Sequence, residues 1–156
     1  MAETNSSNEV RGVLLPLNSG KLLLPNAAIS EVVSYRQPEQ LDGDKPGWLL
    51  GHFSWRQQQI PLVCFDSLVG RQAVDVGTRA RIAISNTLNG NPDYPFIGIL
   101  LRSVPHLVRV SKSTFTPVDV PRDLGEVVQQ QVIIEGEEAW IPNLDILEWL
   151  VSEQLS

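Results

Sequence analysis

Short apolar runs separated by turn-forming residues dominate this sequence of 156 residues, which contains 11 Gly and 11 Pro. No run approaches the roughly 20 apolar residues that a membrane-spanning helix needs. Several runs alternate apolar and polar residues, a pattern typical of strands with one buried face. Many short strands with regular turn signals indicate a β-barrel or β-sandwich. The strand-like runs are residues 13–15, 21–24, 28–35, 48–55, 60–65, 79–85, 96–101, 107–110, 127–134 and 139–141.

A weak internal repeat groups these predicted strands into two sets. Residues 55–68 align without gaps with residues 134–147, and each copy contains a polar turn, an apolar strand and a hydrophobe-Asp-x-Leu exit. Residues 21–33 align with residues 98–110 at nearly the same offset. The same order of elements in both halves predicts two related β lobes.

One helix is predicted, at the C-terminal end of the sequence. Asn143 is suited to cap it, and Asp145 in its first turn favours the positive end of the helix dipole. We expect Trp149 and Leu150 to cover the end of a lobe. The residues that share one face at helical spacing are Leu144, Leu147, Leu150 and Val151.

The first residues of the sequence are polar and acidic, and they offer nothing to bury. They therefore predict a flexible tail over residues 1–9, followed by a single domain over residues 10–156. The tail also lacks the basic start and apolar stretch of a secretory signal. We expect a soluble, cytoplasmic protein that inserts no segment into the membrane and reaches it only through a partner.

The charge balance argues against nucleic-acid binding. The sequence has 12 Lys and Arg against 18 Asp and Glu, a net charge of −6. Such a chain repels a phosphate backbone unless it has a basic patch, and Arg79 and Arg81 make only a pair. The single Cys64 excludes an internal disulfide and a Cys-rich zinc site.

Candidate catalytic residues are few. Cys64 with His52 or His106 could form a nucleophilic pair, but Cys64 and His52 lie in apolar strand patterns typical of a buried core. Asp66 and Asp145 occupy equivalent repeat positions, where a turn or helix start needs an acceptor for backbone N–H groups. The sequence therefore predicts no catalytic residue, metal site or cofactor, and a small Cys/His enzyme remains the less favoured alternative.

The tryptophans mark both halves of the repeat. Trp48 and Trp140 fit core positions. Trp55 precedes a polar turn that begins with Arg56, and an exposed aromatic beside an arginine is typical of protein interfaces. Burial of Trp55 in the core fits the pattern equally well.

Two segments resemble the CheW family of chemotaxis coupling proteins. Residues 28–33 resemble its V-x-E-V strand. Residues 47–70 resemble its block G-x-x-x-x-R-G-x-x-x-P-V-x-D-L with a closing Leu-Gly. Residues 96–101 and 140–147 are similar to later family elements, so the resemblance extends over about residues 13–151. The matching positions in the first two segments are Ile29 to Val32, Gly51, Arg56, Pro61 and residues 68–70.

The resemblance implies a mostly β fold of two small five-stranded SH3-like β-barrel lobes that share a hydrophobic interface, with a C-terminal helix. It also implies a non-catalytic adaptor. The expected partners are the cytoplasmic tip of a methyl-accepting chemoreceptor and the regulatory domain of a CheA-type histidine kinase. The partner-binding residues predicted from the motif positions and the aromatic pattern are Ile29, Glu31, Gly51, Trp55 and Arg56.

Three positions depart from the family pattern. Gln57 replaces the hairpin glycine, which predicts loss of the usual turn geometry. Cys64 and Arg102 each stand where the family has an aspartate. These changes indicate a divergent member, similar to the ChpC-type accessory proteins of chemosensory systems that control type IV pilus twitching motility. A regulator that binds only the kinase, or another protein, and has lost receptor contact is the alternative.

Overall fold

A computed structural model of the chain describes residues 9–71, 76–89, 92–121 and 124–155. Residues 1–8 of the predicted tail lie outside this part of the chain. Two helices are present in the described residues, α1 (Phe65–Leu68) and α2 (Leu144–Leu155), with a 3-10 turn at Asn26–Ala28. The strands of the described residues are β1 (Val10–Pro16), β2 (Lys21–Pro25), β3 (Ile29–Ser34), β4 (Leu49–Trp55), β5 (Gln58–Val63), β6 (Arg81–Asn86), β7 (Phe96–Leu101), β8 (His106–Val110), β9 (Phe115–Val118), β10 (Val128–Ile134) and β11 (Glu137–Pro142).

The strands form two sheets in the described part of the chain. The six-stranded sheet has the order β8-β1-β2-β11-β10-β9, and the five-stranded sheet has the order β3-β6-β7-β5-β4. All neighbours pair antiparallel except β2 with β11 and β5 with β7, which run parallel. The mostly β, two-lobed fold with a C-terminal helix is therefore confirmed.

The strand order repeats between the two sheets. When the order β8-β1-β2-β11-β10 is aligned with the order β3-β6-β7-β5-β4, the parallel pair β2–β11 matches the parallel pair β7–β5. The hairpins β1–β2 and β10–β11 likewise match the hairpins β6–β7 and β4–β5. Each half of the chain also contributes strands to both sheets: β1 and β2 join β8–β11, and β6 and β7 join β3–β5. Strand β3 follows β2 but joins the five-stranded sheet, whereas β8 follows β7 but joins the six-stranded sheet. This order confirms the predicted duplication and shows that the halves exchange strands.

The six-stranded sheet has one strand more than predicted. Strand β9 pairs with β10 at the edge of the sheet, and it contains Pro117. Proline has no N–H to donate to a ladder, so it is tolerated in an edge strand but weakens the strand pattern of the sequence. Phe65, which the pattern placed at the end of a strand, instead begins α1.

The largest hydrophobic cluster lies between the lobes and joins residues of both sheets to α2. In β1, Val13 and Leu15 face this cluster, whereas Leu14 packs inside the six-stranded lobe. A third cluster, around Phe53 of β4, fills the five-stranded lobe. The lobes therefore share a hydrophobic interface, as predicted. Trp140 is buried in it.

Helix α2 closes the interface between the lobes. The Oδ1 atom of Asn143 accepts a hydrogen bond from the backbone N–H of Ile146 at 3.2 Å, which confirms the predicted cap. Leu147 and Val151 are buried, and Leu150 packs partly against them. Trp149 is 58% exposed, so the prediction that it covers a lobe was wrong, because its position turns it away from the buried face. Neither described helix is long and apolar enough to cross a membrane.

Candidate partner-binding site

The turn between β4 and β5 holds Arg56 and Gln57 in left-handed backbone conformations, with φ of 48° and 65°. Two positive φ values are what a tight two-residue hairpin requires. The equivalent turn of the other lobe, Glu135 and Gly136, has φ of 51° and 78°. The prediction that Gln57 abolishes the turn geometry was therefore wrong. The chain keeps the turn with a side chain at a position that favours glycine, at a local cost of roughly 1–2 kcal/mol.

Three of the predicted site residues meet beside this turn, in what we call the Glu31–Trp55–Arg56 cluster. The indole Nε1–H of Trp55 donates to Oε1 of Glu31 at 3.1 Å, and Nη2 of Arg56 donates to the same oxygen at 3.2 Å. The guanidinium of Arg56 lies 4.6 Å from the centroid of the Trp55 ring. A cation over an indole ring is attracted by its negative face. The cluster therefore holds the carboxylate of Glu31 and the guanidinium of Arg56 in a defined relative position.

The cluster joins the two edge strands of the five-stranded sheet, because Glu31 lies on β3 and Trp55 ends β4. Trp55 is only 5% exposed and packs edge-on against Phe96, with ring centroids 4.9 Å apart. The side chains of Glu31 and Arg56 are 41% and 67% exposed. Trp55 thus supports the two charged groups from below, and the charged groups face solvent.

Ile29 does not belong to the cluster. A register shift between Ile29 and Glu31 in the pairing of β3 with β6 breaks the alternation of side chains. Ile29 consequently packs against the core between the lobes, whereas Glu31 lies on the side of Trp55. The structure thus separates two residues that regular alternation along β3 would place on one face.

Gly51 has a backbone role. It is buried with φ of 140°, and a Cβ built there would lie 2.2 Å from the carbonyl oxygen of Glu39. The neighbouring residue, His52, exchanges two backbone hydrogen bonds with Glu39. Gly51 therefore allows the segment before β4 to pair closely with the edge of the sheet.

Gly51→Ala is expected to reduce the free energy of unfolding by at least ~2 kcal/mol, because the new methyl group collides with backbone and the φ value is unfavourable for alanine. Urea unfolding of the purified variants measures this change. Gly47→Ala is the matched control, since a Cβ at Gly47 meets no atom within 4 Å. Equal stability of the two variants would contradict the role assigned to Gly51.

The structure does not bring Cys64 together with an imidazole in its described part. Cys64 is buried, and its Sγ accepts a hydrogen bond from Ser67 at 3.5 Å. Nδ1 of His52 instead pairs with Gln59. His106 lies on the other sheet, with Nε2 4.0 Å from a carboxylate oxygen of Glu137.

Glu137 is the described group whose ionisation is clearly shifted. A hydrogen bond from Lys21 and its positive charge, with a smaller contribution from His106, hold the pKa of the Glu137 carboxyl below its ordinary value. Among the described residues, no group of three His, Cys, Asp or Glu side chains is placed to bind a metal ion.

Asp66 forms hydrogen bonds with a more distant segment than the sequence indicated. It is 3% exposed and accepts hydrogen bonds from the backbone N–H of Asn18 at 3.2 Å and of Ser19 at 2.8 Å, as well as from the Ser19 hydroxyl. Asn18 and Ser19 form the turn between β1 and β2 of the other sheet. Asp66 is a backbone acceptor, as predicted, but for a turn more than 40 residues away. Its repeat equivalent, Asp145, accepts one exposed hydrogen bond from Asn89.

The comparisons with known proteins agree with the two-lobed architecture. The sequence profile of the CheW-like domain matches residues 11–154. The chain belongs to the CheW-like domain family. The fold is similar to the crystal structure of scaffolding protein TtCheW from Thermoanaerobacter tengcongensis, with a TM-score of 0.72 and 17% identity over 86% of this chain and 89% of that chain. No curated protein matches the sequence.

The part matched by the CheW-like profile covers nearly all of both lobes and of α2, and it includes the whole Glu31–Trp55–Arg56 cluster. The family motif identified Glu31 and Arg56 but not their link through the Trp55 indole. That link depends on the closure of β3 towards β4, which local sequence does not encode.

Proposed function

We propose that this CheW-like chain is a non-catalytic adaptor of a bacterial chemosensory system, coupling the cytoplasmic tip of a chemoreceptor to the regulatory domain of a CheA-type histidine kinase. Membership of the family supports the class of function, and the similar fold of TtCheW is that of a scaffolding protein. The observation that carries the proposal for this chain is the exposed pair of Glu31 and Arg56, held by the buried Trp55.

The cluster has the properties of a contact point for a protein partner. An exposed ion pair adds little to stability, so its members are available to exchange partners. Arg56 uses one nitrogen on Glu31, and the guanidinium fork has further N–H groups for a carboxylate of a partner. Trp55 holds both side chains in place before binding, which reduces the entropy lost when a partner docks.

Arg56→Glu is expected to weaken binding of at least one partner by roughly tenfold or more, because it places a negative charge beside Glu31 at a contact rim. The melting temperature should change little, since Arg56 is largely exposed. Calorimetric titration with a receptor cytoplasmic fragment and, separately, with the kinase regulatory domain measures the two affinities.

Glu135→Arg is the matched control, because Glu135 occupies the same turn position in the other lobe and also has a positive φ. Unchanged affinity of Arg56→Glu for both partners would reject the cluster as a contact point. Loss of affinity for the kinase domain, in a chain whose unsubstituted form fails to bind the receptor fragment, would favour the alternative of a kinase-only regulator.

The departures at Gln57, Cys64 and Arg102 support a specialised chemosensory system, such as one that controls type IV pilus twitching. In this proposal the protein acts in the cytoplasm and is recruited to membrane-associated arrays by its partners. The adaptor role uses no cofactor, since its work is to hold two proteins at a fixed geometry.

A further inference from the structure

Three arginines, Arg79, Arg81 and Arg102, lie at the open end of the β6–β7 hairpin, opposite the connection between the two strands. Arg81 and Leu101 are paired in the antiparallel register of these strands. The residues just before β6 therefore lie beside those just after β7, which places Arg79 near Arg102. In the sequence Arg79 and Arg81 make only a pair, and the fold supplies the third guanidinium.

A cleft of about 470 Å³ opens at this end of the hairpin, lined by Gly77, Thr78, Arg79, Arg102 and Ser103. It combines two guanidinium groups with two hydroxyl groups, all of which are hydrogen-bond donors. Within the described residues, the side chains of Arg79 and Arg102 are exposed and have no hydrogen-bond or ion-pair partner. We call this feature the Arg79–Arg102 cleft.

Arg81 shapes the wall of the cleft. Its Nη1 donates to the carbonyl oxygens of Arg79 and Ala80, both at 2.9 Å. These two bonds hold the backbone that carries Arg79, and they bring a third positive charge to the same end of the sheet. The cleft is thus positioned by a neighbouring guanidinium as well as by the strands.

Among the described residues, three carboxylates line pockets that adjoin Arg102, and two of them are engaged; the third, Glu138, lines a neighbouring cleft but not the Arg79–Arg102 cleft itself. Asp66 lines a small adjoining recess with Arg102, but its oxygens accept hydrogen bonds from Asn18 and Ser19. Glu137 lines another neighbouring cleft with Arg102, and it pairs with Lys21. The Arg79–Arg102 cleft therefore keeps an excess of positive charge on a chain whose net charge is −6.

We propose that the Arg79–Arg102 cleft binds a phosphate group, as a monoester or as the free ion. Such a group carries a charge of about −1.5 to −2 and three acceptor oxygens, which match two guanidinium groups and two hydroxyl donors better than a single carboxylate does. The volume of the cleft admits the phosphate together with the group that bears it. The phosphate comes from a phosphorylated protein side chain, a nucleotide or the free ion.

The test uses the intact purified chain and three probes: a Gly-phosphoserine-Gly tripeptide, AMP and inorganic phosphate. Each is titrated by calorimetry at constant ionic strength, with acetate as a carboxylate control. We expect saturable binding of at least one phosphate probe and none of acetate. Arg79→Ala and Arg102→Ala should each weaken this binding roughly tenfold, as expected for loss of a charge-assisted hydrogen bond.

Arg109→Ala is the matched control, because Arg109 is another exposed arginine, on β8 of the other sheet, whose side chain has no partner among the described residues. It should leave affinity for the probe within twofold of the unsubstituted chain. Thermal melts of all three variants should coincide with that of the unsubstituted chain. The probe that binds most tightly identifies the source of the phosphate.

Absence of saturable binding by all three probes would overturn the proposal. Equal weakening by Arg109→Ala, or equal binding of acetate, would also overturn it, because either result indicates unspecific attraction of anions. These measurements use no chemoreceptor or kinase. Failure of the adaptor proposal and failure of the phosphate proposal are therefore distinguishable.

Discussion

Asp66→Ala is expected to lower the free energy of unfolding by roughly 2–4 kcal/mol, one of the largest effects of a single polar substitution in this chain. The buried carboxylate accepts two backbone N–H groups and one hydroxyl from the Asn18–Ser19 turn. Alanine leaves these donors unpaired beside a new cavity. Urea unfolding followed by tryptophan fluorescence measures the loss, because Trp55 and Trp140 are buried in the native state.

Asp145→Ala provides the internal control, since the repeat places Asp145 at the position equivalent to Asp66. Its carboxylate accepts one exposed hydrogen bond from Asn89, so its loss should cost well under ~1 kcal/mol. Asp66→Asn keeps acceptor capacity without charge and should fall between the two. A stability of Asp66→Ala equal to that of Asp145→Ala would show that the hydrogen bonds of Asp66 to the Asn18–Ser19 turn contribute nothing to the free energy of unfolding.

Truncation after Leu144 is expected to lower the melting temperature by more than ~10 °C or to prevent folding. It removes Leu147 and Val151, whose side chains fill the core between the lobes. Because truncation alone does not separate packing from loss of chain, Leu147→Ala is the sharper variant. It should cost about 2–5 kcal/mol, the range for emptying a buried leucine site.

The control for the helix is Trp149→Ala. Trp149 is larger than Leu147 but 58% exposed, so its removal should change stability by less than ~0.5 kcal/mol. Differential scanning calorimetry of the truncated chain, Leu147→Ala and Trp149→Ala ranks the three variants by melting temperature. A Trp149→Ala variant less stable than Leu147→Ala would mean that α2 presents the opposite face to the lobes.

Local sequence was sufficient for most of the fold. Alternation in runs such as residues 81–85 predicts which side chains share a strand face, and Ile82 and Ile84 do pack together inside the five-stranded lobe. Ala83 on the opposite face is also buried, in the core between the lobes, which alternation does not show. The repeat predicts two equivalent lobes. The crossing of the chain between the sheets, before β3 and before β8, could not be predicted in this way, since a strand has the same alternation whichever sheet it joins. Strand β9 escaped prediction because Pro117 is compatible with a loop as well as with an edge strand.

The candidate site likewise has one part that the sequence predicts and one part that it does not. The family motif gives Glu31 and Arg56 their places, but the hydrogen bond between Trp55 and Glu31 depends on how two edge strands approach. The hydrogen bond from Ser19 to Asp66 and the nearness of Arg102 to Arg79 likewise bring together segments that are distant in the sequence. Such contacts follow from strand register, which no single segment specifies.

The chain crosses between the sheets before β3 and again before β8, so each half contributes strands to both sheets and the two halves depend on each other. A polypeptide ending after β5 would lack β6 and β7, on which β3 and β5 assemble, and it would also lack β8 and β11, the neighbours of β1 and β2. Neither half of the chain therefore contains a complete sheet, and unfolding of either half removes strands from both sheets. In a protein built in this way both lobes fold or unfold together, so surfaces that lie on different lobes are presented together or not at all.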